Sequence, residues 1–143
     1  MCLAAALALS ACSGDELPAL SDEDAAACSA LMGDLPESLF GSEQSAVDGR
    51  VASYGDVTVT CGVARPDDYE ETSECSEVEG VGWFVPPAIL SDGDEDLVAY
   101  ALSRTPVVRI DVPAEDRLES TDTSLAELAA PLSSHLAEGL PCL

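Results

Sequence analysis

The residue with the clearest chemistry in this chain is Cys12. Leu9-Ser10-Ala11-Cys12 closes an uncharged, mostly small or apolar run that begins at Met1. This is the arrangement of a lipobox: Ser10 and Ala11 let an extended segment enter a signal peptidase, and the Cys12 thiol accepts diacylglycerol before cleavage leaves it as the new N-terminus. Buried acyl chains contribute about 0.8 kcal/mol per methylene, so a pair of chains such as palmitate holds where one would not. The expected organisation is a signal peptide over 1–11, a lipid-anchored Cys12 with a linker over 12–20, and no transmembrane helix. The expected address is the extracytoplasmic face of the cell membrane. Export segments run about 15 to 30 residues with a basic start, yet no Lys or Arg precedes the apolar run, so the natural start is expected upstream.

Cys28, Cys61, Cys75 and Cys142 form an even set once Cys2 leaves with the signal and Cys12 is consumed by lipid. None sits in a C-x-x-C pair, and the chain has one histidine, so a zinc site would need thiolates gathered from four distant places. Disulfides are the expected use, and they require the oxidising compartment that the lipobox supplies.

His135 is the single histidine; a Ser-His-Asp arrangement must use it, but Ser133 and Ser134 do not face it on a helix, and the expectation is no enzyme. Asp92, Asp94 and Asp96 occupy positions 1, 3 and 5 of an EF-hand-like loop. Leu97 then stands where glycine is needed and Ser103 where a bidentate glutamate belongs, so no metal and no cofactor is expected, and the segment reads as a solvated loop between strands. Arg65 and Arg104 lie near Tyr54 and Trp83 in sequence motifs and could converge into a patch for a carboxylate or phosphate, by bidentate bonding and stacking. The alternative is that each Arg pairs with one of many carboxylates while Trp83 fills the core.

Net charge is −23, from 28 acidic residues against 5 arginines, with no lysine. A field of that sign repels nucleic acid and anionic headgroups. Nucleic-acid binding is therefore excluded, and the simplest reading of the charge is a solvated, soluble surface.

The elements that must position these residues are legible from period and caps. Ser21 reads as an N-cap with Asp22, Glu23 and Asp24 in the first turn, followed by a helix that buries Cys28, Leu31, Met32 and Leu35 and closes at Gly33 and Pro36. Val57, Val59, Cys61 and Val63 alternate with polar residues as a strand, entered through Tyr54-Gly55-Asp56 from a shorter run near Arg50. Val81 to Val85 is a further apolar run, Val108, Ile110 and Val112 alternate as a strand, and Leu97 to Leu102 fits either a helix or a strand; the strand is the favoured reading, joined to Val108–Val112 by an expected tight hairpin with Pro106 at its edge. Ser124-Leu125-Ala126-Glu127 reads as a capping box opening the last helix, with a bend or break expected at Pro131. The fold class is therefore α+β: one domain over 21–143, an antiparallel sheet of about five strands, and N- and C-terminal helices packed on one face, disulfide-stapled. With this layout the expected bridges are Cys61 to Cys75 and Cys28 to Cys142, each joining elements presumed to be neighbours.

An ordered set of motifs carries a resemblance over most of Ala27 to Leu136: Cys28 through Leu35-Pro36; Tyr54-Gly55-Asp56 leading to Thr60-Cys61-Gly62-Val63 with Arg65-Pro66; Cys75; Gly80-Val81-Gly82-Trp83-Phe84; and Arg104-Thr105-Pro106-Val107-Val108 ending at Val112-Pro113. The chain resembles the actinobacterial lipoproteins and membrane-anchored proteins grouped as domain-of-unknown-function family 3515. The resemblance implies an exported envelope protein and no particular activity. Leu102-Ser103 stands before Arg104 where the pattern suggests a glycine. The expectation for function is a non-catalytic binding or assembly module at the cell surface, held to the membrane by the lipid on Cys12 and meeting an envelope protein or cell-wall component. The second expectation is a small-ligand (anion) or metal-binding lipoprotein.

Overall fold

The computed structural model describes residues 16–117 and 121–142. Cys12 and the signal segment lie outside the described residues, as do 118–120 and Leu143. Helix α1 (Asp22–Asp34) starts where its cap predicts: the Ser21 hydroxyl accepts a hydrogen bond from the Asp24 amide at 3.1 Å, with three carboxylates in the first turn. It ends because Leu35 takes an extended backbone before Pro36, whose ring disfavours a helical residue ahead of it. Cys28, Leu31 and Met32 are its buried stripe.

A short hairpin, β1 (Ser38–Leu39) with β2 (Ser42–Glu43), leads into a seven-stranded antiparallel sheet among the described residues. Its members are β3 (Ala46–Asp48), β4 (Val51–Tyr54), β5 (Val57–Cys61), β6 (Ser76–Val78), β7 (Val81–Phe84), β8 (Leu97–Ala101) and β10 (Val108–Val112), in the spatial order β3-β4-β5-β10-β8-β7-β6. A short helix α2 (Pro87–Leu90) and the Asp92–Asp96 loop stand between β7 and β8. The expected five strands are all present. The two additional ones, β3 and β6, are the sheet's edges, and they carry no apolar alternation: β3 is exposed throughout, and of β6 only Val78 is partly buried, against the core beneath α3. Gly80 closes the β6–β7 turn; Glu79 and Gly80 both take positive φ, as a two-residue hairpin of right-handed strands requires.

Register sorts the sheet into two faces. Ile110 lies opposite both Val59 and Ala99, Val108 opposite Cys61 and Ala101, and Trp83 opposite Ala101. These side chains join Leu31, Leu128 and Leu132 of the helices in one buried cluster, where each large aliphatic stabilises the fold by roughly 1.5–3 kcal/mol. Helix α3 (Thr121–His135) contacts α1, β6 and β7. It begins three residues before the expected capping box, so Ser124 is a buried residue of its first turns and not its cap. The helix also continues through Pro131, against the expected break at that residue.

The connection from β8 to β10 is not a tight hairpin. It spans residues 102–107, and within it β9 (Arg104–Thr105) leaves the main sheet to pair with β11 (Ala137–Glu138) just after α3. The backbone of this detour is satisfied by the C-terminal segment: the Gly139 and Leu140 amides donate to the Ser103 and Leu102 carbonyls.

Both expected disulfide pairings are overturned. Cys28 bonds Cys61, and Cys75 bonds Cys142. Cys61 and Cys75 are neighbours in sequence but not in space, because β10, β8 and β7 lie between β5 and β6. The helix α1 is tied onto the interior strand β5, and the C-terminal segment is tied beside the edge strand β6. Gly82 makes room for the second bridge, since a Cβ there would collide with the Cys142 sulfur and press on Ser103.

Candidate functional site

The four residues expected to form a ligand patch are not brought together. Tyr54 and Trp83 point into the core, at 0% and 1% exposure. The Tyr54 hydroxyl donates to the Pro36 carbonyl at 2.7 Å and accepts from the Gln44 amide nitrogen at 3.1 Å, clamping the chain that follows α1. Burial pushes its phenol pKa above the usual value, with the Gln44 hydrogen bond pulling the other way. Trp83 Nε1 is buried without a hydrogen-bond partner. Arg104 donates through Nη2 to the Gly80 carbonyl and the Ser133 hydroxyl, a brace between the β6–β7 turn and α3. Arg65 is exposed and stands with its guanidinium carbon 5.7 Å from the centre of the Tyr69 ring.

Arg65 does line a groove, with partners that the sequence reading did not single out. On the sheet face opposite Ile110 and Ala99, the register aligns Thr60, Arg109, Tyr100 and Phe84 in one cross-strand row. Tyr69 covers the end of that row, meeting Phe84 edge-to-face with ring centres 5.3 Å apart. A groove of about 590 Å³ opens between this face and the Arg65–Asp68 segment, with Val63, Ile89, Val98, Tyr100 and Arg109 among its lining. Glu16, Leu17 and Pro18 line it too. That segment is docked: Arg50 donates to the Pro18 carbonyl at 3.0 Å and to the Gly62 carbonyl at 3.3 Å, and Leu20 packs against the core.

Arg109 is anchored in the groove by its Nε bond to Asp111 Oδ2 at 2.8 Å. Partial burial opposes its charge, but the Asp111 carboxylate and the Tyr100 hydroxyl outweigh that, and the guanidinium pKa is held above its ordinary value. Arg109 and Tyr100 were findable in the sequence, since each is an outward position between inward apolar residues of β10 and β8. What alternation alone does not give is the register that puts them side by side.

The remaining sequence candidates have structural partners. His135 Nε2 lies 2.9 Å from Asp34 Oδ2, joining the ends of the two long helices. In the Asp92–Asp96 loop, which connects α2 to β8 and not two strands, Asp92 Oδ1 accepts from the Asp94 amide and Asp96 Oδ1 from the Ala114 amide. Arg117 donates to the Asp92 and Glu95 carbonyls. Among the described residues no three His, Cys, Asp or Glu side chains are grouped as a metal ion would need.

An antiparallel sheet with two long helices, two disulfides and an open groove defines a small disulfide-bonded α+β domain. The family described as protein of unknown function (DUF3515) matches residues 4–140, and the chain belongs to that family. Comparison with curated proteins and with solved structures finds no match.

Proposed function

We propose that this protein is an exported lipoprotein, anchored through Cys12 on the outer face of the cell membrane, that acts as a non-catalytic binding or assembly module of the envelope. The observation that carries the reading is the pair of closed disulfides, because such bonds persist in oxidising compartments. The lipobox supplies the anchor. In this reading the two terminal helices share one face of the sheet, supported by the α1–α3 contact and the Cys28–Cys61 bond, which leaves the Arg65–Arg109 groove on the other face for a partner. Among the described residues no helix is long and apolar enough to cross a membrane. From Cys12 to Glu16 an extended chain reaches only about 13–14 Å, so the groove stays close to the lipid.

The test is metabolic labelling with a fatty-acid analogue in cells expressing the chain with its own export signal. Wild type should label and fractionate with membranes, while Cys12→Ala should be unlabelled and released or unprocessed. Unlabelled wild type in the cytosol would refute the address. A second reading, a small-ligand lipoprotein, is favoured by the groove itself, whose volume falls in the range of about 300–1,000 Å³ usual for ligand pockets.

A further inference from the structure

We infer that the groove between the Arg65–Asp68 segment and the outer face of β8 and β10 binds a small zwitterion with an apolar body, of the amino-acid or short-peptide class. The inference rests on the small-ligand reading and names its ligand.

The distribution of arginine donors points there. Arg50, Arg104 and Arg117 spend hydrogen bonds on backbone carbonyls, Arg104 also on Ser133, and Arg109 is paired with Asp111. Arg65 alone among the five makes no hydrogen bond or ion pair with a described residue, in a chain where acidic side chains outnumber arginines 28 to 5. Its guanidinium is held over Tyr69, which is itself braced by Phe84. A cation–π contact of this kind leaves the guanidinium N–H groups unused, and their planar fork matches a carboxylate bidentately.

Charge then selects the ligand class. A simple anion approaching a protein of net charge −23 works against a net repulsive field, most strongly at low salt. A simple cation finds acidic side chains over the whole surface and gains nothing specific here. A zwitterion carries no net charge, so its approach is unopposed, and the groove offers both signs: Arg65 for the carboxylate, Asp67 and Asp68 on the same wall for the ammonium. Val63, Ile89 and Val98 provide apolar surface for the body between them.

Calorimetric titration of the oxidised full chain with the dipeptide Leu-Leu, its N-acetyl form and its C-terminal amide tests this. The free dipeptide should bind about tenfold or more tighter than either blocked form, since each blocking group removes one charged contact. Arg65→Gln should lose about tenfold for the free dipeptide while melting like wild type, because Arg65 holds no structural hydrogen bond. Val98→Trp, which fills the groove floor, should abolish binding with the five arginines intact. N-acetyl-Leu-Leu binding as tightly as Leu-Leu would overturn the zwitterion and leave an anion-binding groove standing. No binding of any probe at millimolar concentration, or full binding by Arg65→Gln, would overturn the site. Neither result bears on lipid at Cys12.

Discussion

The two disulfides join different kinds of ground. Cys28–Cys61 lies at 0% exposure between α1 and the interior strand β5, inside the main apolar cluster. Cys75–Cys142 is partly exposed and ties the last residues of the described chain beside the edge strand β6. Loop-closure entropy ranks the second higher, because it spans 67 residues against 33, worth about 4.4 against about 3.7 kcal/mol in the chain-entropy treatment. Burial ranks them the other way. A cross-link in the core cannot be lost without leaving a packing defect, whereas a segment at the surface can fray locally while the rest of the fold persists. The worth of a bridge depends on what the native state does without it, as well as on the loop it closes.

The largest effect that would test this contrast is expected from Cys28→Ala with Cys61→Ala. Losing the loop constraint and two packed sulfurs should cost about 4–6 kcal/mol, enough to leave many domains of this size unfolded at 37 °C. Circular dichroism against urea measures it; a loss under about 2 kcal/mol would break the comparison. Next comes Cys75→Ala with Cys142→Ala, expected to cost about 2 kcal/mol, with increased amide exchange at Gly139 and Leu140 and little change on β5 and β10. Uniform loss of protection across the sheet would show that the surface bridge holds the whole fold.

Tyr54→Phe sharpens the contrast at the core end, because it removes the clamp on Pro36 and should cost about 1–2 kcal/mol. The direction of the Tyr54 shift adds a pH test. A phenol whose pKa is raised by folding contributes stability that is full below the unfolded value of 10.0 and is lost as pH rises through the folded value. Wild type should therefore lose an increment of stability in alkali that Tyr54→Phe lacks. The smallest effect is expected from His135→Asn, whose partner Asp34 has a side chain 62% exposed; such pairs are worth about 0–1 kcal/mol, and a cost above 2 kcal/mol in a melting comparison would mean that the helix ends are joined more firmly than their exposure suggests.

Sequence period revealed the elements that bury a face. Helix α1 and strands β5 and β10 have apolar residues at regular intervals and were legible with their caps. Edge strands β3 and β6 and the β9–β11 ladder were not, since Ser76, Glu77 and Ala46 pair through backbone groups that leave no mark on side-chain pattern. The disulfide connectivity failed for a related reason: Cys61 and Cys75 were joined as neighbours along the chain, but the order of strands across a sheet is set by long-range pairing. At the site, Arg65 was recognised and its companions were not. Trp83 and Tyr54 proved to be inward residues of β7 and β4, and Arg109 and Tyr100 took their place because register, and not spacing, sets which side chains share an outer face.

Gly82 sits where any side chain would strike the Cys142 sulfur, and this has a consequence for how the sequence can drift. The residue at position 82 and the Cys75–Cys142 pair are therefore sterically coupled. A lineage that gives up the bridge by replacing Cys142 with a smaller residue frees position 82 to accept alanine, whereas a lineage that first changes Gly82 must displace the bridge it still carries. The order of the two steps is therefore not interchangeable. Gly82→Ala should be harmful in the bridged protein and milder in Cys75→Ala with Cys142→Ala, a dependence that a double-mutant cycle reads directly.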